Sequence, residues 1–137
     1  MTLYIAYKYS NHQDKQQLIR KLDQLSEFIS SSGSSTFILG RDIKKWQHLH
    51  INVFALCKLI IENMRKCNAV CAFVDSSCFS KGLYLEIIIS KILNKRSFLI
   101  LEDVQERAIF MKLFSKIYRI KSLEELTPEM FSASKWE

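Results

Sequence analysis

Residues 68–75 read NAVCAFVD, an apolar run with no polar residue between Asn68 and Asp75. A strand with one wet face alternates polar and apolar side chains. A strand that does not alternate is buried on both faces, as the central strands of a parallel sheet are. This one run therefore demands helices on both sides of a sheet. The rest of the chain supplies them. LYIAYK (3–8), TFILG (36–40), SFLIL (97–101) and KIYRI (116–120) are further short β-rich runs.

Between these runs lie helical patterns. Leu18, Ile19, Leu22, Leu25, Phe28 and Ile29 form a stripe at helical spacing within Gln13–Ser30, ended by SSSGSS with Gly33 as terminator. Asn52–Cys67 carries Val53, Leu56, Leu59, Ile60 and Met64 on one face. Leu83–Asn94 is apolar on most sides and is expected to be well buried. Val104–Phe114 reads as a helix, RDIKKWQHLH (41–50) as loop or broken helix, and SLEEL (122–126) as a short helix with Ser122 and Glu125 spaced as a capping box. The tail, 127–137, is polar with two aromatics. Strands alternating with helices predict one α/β domain over 1–137. It is doubly wound and flavodoxin- or Rossmann-like, with about five mainly parallel strands joined by right-handed crossovers.

In such a sheet, ligands bind beyond the carboxyl ends of the strands, near the reversal of strand order. The loops after Lys8, Gly40, Asp75 and Leu101 are the candidates. Composition narrows what arrives there. The 137 residues are 48% hydrophobic and 25% charged, a globular balance that excludes disordered and fibrous classes. No run approaches the roughly 18 apolar residues of a membrane span. The start, MTLYIAYKYSNHQDKQQ, lacks the basic segment and cleavage site of a signal peptide, so a cytoplasmic address is expected. Cys57, Cys67, Cys71 and Cys78 have no CxxC pairing and read as reduced structural thiols, with no metal expected. The net charge of +6 favours anionic partners. The basic residues are scattered and read as solvated helix faces, so nucleic acid is not the expected partner. The three histidines, His12, His48 and His50, have no informative spacing, and neither GxSxG nor a Walker loop is present.

One carboxylate stands out. In SKGLYLEIIISKIL (80–93), Glu86 interrupts an otherwise apolar helix. Ser80 lies just before that helix, and Gly82 allows a tight turn or the close approach of a ligand. The free N–H groups of a helix start suit a phosphate. Glu86 lies one turn further in, where desolvation raises a carboxyl pKa. Tyr4 and Tyr7, on the neighbouring strand, are candidate phenolic donors. A glutamate near a helix start is also a common dipole-complementing surface residue, so the residues alone leave both readings open.

These motifs in this order, LYIAYKYS, CNAVCAFVD and SKGLYLEIIISKILNKRSFLIL, resemble the nucleoside 2-deoxyribosyltransferase family, and within it the 2'-deoxynucleoside 5'-phosphate N-hydrolases. The resemblance spans most of residues 3–126. It implies that Glu86 is the nucleophile at C1' of the sugar and that Tyr4 orients it. Gly82 matches the family's glycine four residues earlier. Ser80 matches the position where phosphate-binding members carry serine and nucleoside-binding members carry aspartate. Lys8 and Ser10 would complete the phosphate cradle, with Tyr7 and Asp75 beside it. The implied partner is a nucleoside 5'-monophosphate or nucleoside, no cofactor is required, and a homodimer or larger assembly is expected. That assembly would use the Leu83–Leu93 helix and a Phe54/Leu56/Ile60/Ile61 surface.

Three departures accompany the resemblance. Ile60 stands where the family places an acid, Asn68 replaces an aspartate, and Tyr84 replaces a small residue. Two alternatives therefore stay open: a catalytically silent nucleotide-binding module of the same fold, and a TIR-like domain that cleaves NAD.

Overall fold

The computed structural model describes residues 1–9, 12–46, 51–78 and 80–132. Its elements are β1 (Thr2–Tyr7), α1 (Lys15–Ser31), β2 (Ser35–Ile38), α2 (Leu39–Asp42), α3 (Val53–Arg65), β3 (Ala69–Val74), α4 (Lys81–Ile92), β4 (Arg96–Glu102), α5 (Ala108–Met111) and β5 (Lys116–Ile120). Short 3-10 turns follow at Leu123–Glu125 and Pro128–Phe131. The strands form one 5-stranded sheet in the order β2-β1-β3-β4-β5, and every adjacent pair is parallel. This is the doubly wound α/β architecture expected from the alternation.

β3 shows why. All six of its residues are buried. Ala69, Cys71 and Phe73 pack with Leu18, Leu22, Leu25 and Ile29 of α1 on one face. Val70, Ala72 and Val74 pack with Ile60 and Met64 of α3 and Leu83 and Ile87 of α4 on the other. The period-2 alternation of a strand sorts one apolar run into two cores.

The helix starts are set by short polar side chains. Asp14, Asn52 and Ser80 each accept a backbone N–H from the first turn of α1, α3 and α4. Gly33, with φ +91°, follows the end of α1 in the left-handed conformation, as expected.

Several expectations need correction. The second strand ends at Ile38, because the Asp42 carboxylate accepts the Ile38 N–H (2.9 Å) and turns Leu39–Asp42 into a single helical turn. The helix expected over 104–114 is only Ala108–Met111. Asp103 is left-handed (φ +51°) with its N–H bonded to the Ile120 carbonyl, and Glu106 is drawn down to Lys8, so residues 103–107 form no helix. Ser122 makes no side-chain cap, whereas Glu125 does reach back, accepting the Lys121 N–H (2.7 Å). The polar tail also contributes to the core: Phe131 is fully buried against Phe28 and Phe98.

α4 is less enclosed than its composition suggests. Leu83, Glu86, Ile87, Ile89 and Ser90 are buried, while Ile88 and Ile92 (76% exposed) face outward. On neighbouring α3, Phe54 is 90% exposed, whereas Ile60, expected at the surface, is buried on the sheet side. Among the described residues no helix is long and apolar enough to cross a membrane.

Candidate active site

The strand order reverses between β1 and β3, so the carboxyl ends of those strands, with the start of α4 above them, form the crevice where this fold places ligands. Glu86 is directed there by helical periodicity. It shares the inward face of α4 with Leu83, Ile87 and Ser90, at three- and four-residue spacing. It is 8% exposed, and its Oε2 has no hydrogen-bond partner among the described residues. The Tyr4 hydroxyl, from the middle of β1, is likewise buried and unpartnered. The two groups are neighbours that each perturb the other's ionisation, although no direct hydrogen bond joins them. An unpaired buried carboxylate beside an unpaired buried hydroxyl is unfavourable for folding alone.

Burial pushes the Glu86 carboxyl up to about 8, against the opposing pull of the Tyr4 hydroxyl and the Lys44 ammonium group. Burial likewise pushes the Tyr4 and Tyr7 hydroxyls well above the ordinary phenol range, and the Glu86 charge adds to both shifts. Both phenols therefore remain protonated donors across the neutral range.

Ser80 is buried at the N-cap of α4, and its Oγ accepts the Leu83 N–H at 3.3 Å. Its own O–H has no acceptor among the described residues and remains free to donate. Gly82 sits in the first turn without a left-handed φ, so no tight turn requires it. A Cβ there would meet only the Ser80 hydroxyl, at 3.9 Å, which leaves open space at the helix start.

The other expected site residues are engaged elsewhere. Lys8 is 3% exposed, and its Nζ donates to Glu106 Oε2 (2.6 Å) and the Ser76 carbonyl (3.2 Å). Asp75 accepts from His12 Nε2 (2.8 Å) on one oxygen and from Lys21 Nζ (3.2 Å) on the other. Lys21 also pairs with Glu102 at 2.5 Å. Burial pulls the Lys21 amine down, but its bonds to Glu102 and Asp75 outweigh that and hold it above its ordinary value. His12 Nδ1 accepts the Asp14 N–H (3.1 Å), which assigns the neutral tautomer with its proton on Nε2. This cluster, two lysines against Asp75, Glu102 and Glu106, is formally net −1 and is a poor cradle for a phosphate. Ser10 lies outside the described residues.

Two contributors were not singled out from sequence. Gly40, in α2, lies against the Tyr7 hydroxyl, and a Cβ at that position would collide with it and approach the Trp46 ring to 2.9 Å. Trp46 stacks edge-on to Tyr7 with ring centres 6.3 Å apart, and Tyr7 meets Tyr9 at 6.2 Å. Tyr7, Tyr9 and Trp46 thus form an aromatic wall at the carboxyl end of β1, packed against the α1-side core. The legible signal was Gly40 itself, one of only three glycines. Tyr84, in the α4 segment GLYLE, packs its ring on Phe110 of α5 at 4.9 Å.

No protein-family model and no curated protein sequence matches this chain. Solved structures do. The CMP N-glycosidase of Clostridium botulinum aligns over 91% of this chain and 93% of its own, with a TM-score of 0.65 and 15% identity. The 2-deoxyribosyltransferase of Bacillus psychrosaccharolyticus aligns over 86% of this chain and 85% of its own, with a TM-score of 0.63 and 14% identity. In fold, the chain is similar both to a CMP N-glycosidase and to a 2-deoxyribosyltransferase.

Proposed function

We propose that this protein cleaves the N-glycosidic bond of a nucleoside 5'-monophosphate, with Glu86 as nucleophile. The observation that carries the reading is the buried, unpaired Glu86 carboxylate beside the unpaired Tyr4 hydroxyl, below the start of α4. The two structural neighbours, a CMP N-glycosidase and a 2-deoxyribosyltransferase, bear names of reactions of this kind.

In this reading the 5'-phosphate sits at the α4 N-terminus, where free N–H groups and the Ser80 hydroxyl donate to it. The base lies toward Tyr7 and Trp46. The ionised Glu86 attacks C1', the C1'–N bond breaks, and the electron pair leaves with the base, which takes up a proton. Water then attacks C1' of the glycosyl ester, regenerating the carboxylate and releasing the sugar phosphate and a proton. An acceptor base in place of water would make the protein a transferase. The neighbouring Tyr4 hydroxyl, a protonated donor with no other partner among the described residues, is the group that would orient the carboxylate.

Because burial holds Glu86 near 8, only about one molecule in ten is ionised at pH 7. Base release is therefore expected to climb as pH rises from 6 towards 9. We also assign the exposed apolar face of Phe54, Ile88 and Ile92 to a homodimer contact. Light scattering at micromolar concentration tests that assignment, and a monomer would refute it.

A second reading, a nucleotide-binding module without chemistry, draws on α3. Its buried residues toward the site are Ile60 and Met64, so that helix supplies no acid for the departing base, and its Glu62 is exposed beside Lys58. Incubation with a panel of nucleoside monophosphates, nucleosides and NAD, followed by chromatography for free base, separates the readings. Release from a monophosphate supports the proposal, release from NAD alone supports the TIR-like alternative, and binding without release supports the silent module.

A further inference from the structure

In a parallel sheet every strand begins at one edge, and the crossover helices end there, so the edge opposite the crevice gathers strand starts and helix ends. Residues far apart in the chain meet at it. Lys95 donates from Nζ to the Arg65 (3.3 Å) and Cys67 (2.8 Å) carbonyls, tying the end of α4 to that of α3. Arg96 stands opposite Ala69 across β3 and β4, and Lys116 opposite Phe98 across β4 and β5. The Ser115 N–H bonds to the Ser97 carbonyl (2.9 Å), which brings the segment 112–116 beside the start of β4.

Arg65, Lys66, Lys91, Arg96, Lys112 and Lys116 are exposed along this edge, and Lys95 is half-buried among them. None of the seven has an ion pair among the described residues. The segments that build the edge, 63–74, 87–101 and 107–123, contain no Asp or Glu. The chain has 20 basic and 14 acidic side chains; setting these seven aside leaves 13 against 14, which takes the net charge from +6 to −1. The whole positive excess of the protein therefore sits at one end. Along the chain these residues are dispersed, and only the fold assembles them. Helix ends do favour cations, but each carries only about half a negative charge, so the ends of α3 and α4 call for about one cation between them. Lys95 already serves there through its two carbonyl bonds.

We propose that this edge is a docking surface for the phosphate backbone of a nucleic-acid duplex. Neighbouring strands start about 5 Å apart, so the cations form a band, which suits a line of phosphates better than one small anion. The aromatic residues of these segments, Phe73, Phe98, Phe110 and Phe114, are buried and Tyr118 is half-buried, so no ring is presented for stacking on the bases of a single strand. Recognition is of the backbone, irrespective of sequence. A membrane-binding face sets apolar side chains among its cations. Ile92 is the exposed apolar residue here, and it belongs with Phe54 and Ile88 to the face assigned to the dimer contact. The surface lies at the opposite end of the sheet from the crevice, and its assignment is independent of the role of Glu86.

Fluorescence anisotropy of a labelled, mixed-sequence DNA duplex titrated with the intact protein is the test. Binding should weaken roughly 100-fold between about 50 and about 200 mM salt, as about four phosphate contacts require. Arg96→Gln combined with Lys116→Gln should weaken binding at least about tenfold at low salt and reduce the salt slope by about 2. Lys15→Gln combined with Arg20→Gln removes the same charge from exposed positions on α1 and should change the affinity by less than about threefold. Lys66→Gln with Lys91→Gln serves if the first pair does not fold, as judged by circular dichroism. No binding to the duplex at low salt, or equal losses in the edge pair and the α1 pair, overturns the proposal. Cosedimentation with phosphatidylserine vesicles in the absence of duplex binding overturns it too, and assigns the edge to a membrane surface instead.

Discussion

Glu86→Gln should change how stability depends on pH, with a sign and size fixed by burial. The wild-type carboxyl is held near 8 when folded, against an ordinary 4.5. Between those values the native protein keeps a proton that the unfolded chain has lost, so wild-type stability falls as pH rises. Each unit of difference is about 1.4 kcal/mol, and integrating from pH 5 to pH 9 gives a loss of about 4 kcal/mol assignable to this group. Glutamine has nearly the shape of the neutral acid and does not titrate. Urea unfolding of both proteins at pH 5, 7 and 9 is the assay. The variant should be close to wild type at pH 5 and more stable by about 4 kcal/mol at pH 9. Parallel stability curves, agreeing to within about 1 kcal/mol at every pH, would refute the claim that Glu86 is buried against its own ionisation.

Two further perturbations probe the walls of the crevice. Gly40→Ala puts a methyl into the Tyr7 hydroxyl and Trp46 ring; it should cost about 1–3 kcal/mol in urea unfolding and displace the aromatic wall, seen as a change in tryptophan fluorescence. Ser80→Asp keeps a good N-cap for α4 but sets a negative charge at the helix start; calorimetry should show monophosphate binding weakened at least about tenfold, and nucleoside binding much less. Equal losses for both ligands would remove the phosphate from that site.

The sheet was legible because burial on both faces leaves a direct imprint. A run such as AVCAFV can be accommodated only in the middle of a covered sheet. The α4 carboxylate was legible for the same reason, as a charge at a position that periodicity turns inward. What was hidden depends on contacts far apart in sequence. Nothing local to Lys8 reveals that Glu106, 98 residues on, neutralises it. Nothing near Asp75 announces His12 and Lys21. The same long-range pull unmade the helix expected over 104–114, since Glu106 and Asp103 hold that segment down on the sheet. Apolar helices misled in the other direction. A composition such as that of α4 registers hydrophobicity but not which neighbour covers it, so Ile88 and Ile92 were expected inside.

The central claim is that Glu86 makes the bond to C1'. The direct measurement is to quench the reacting protein in acid with the preferred nucleoside monophosphate and map its peptides by mass spectrometry, alongside base release by wild type and Glu86→Gln. The account predicts a sugar-phosphate ester on the wild-type peptide carrying Glu86, no such ester in the variant, and a loss of base release of several orders of magnitude. Base release from Glu86→Gln at a rate comparable to wild type would contradict it.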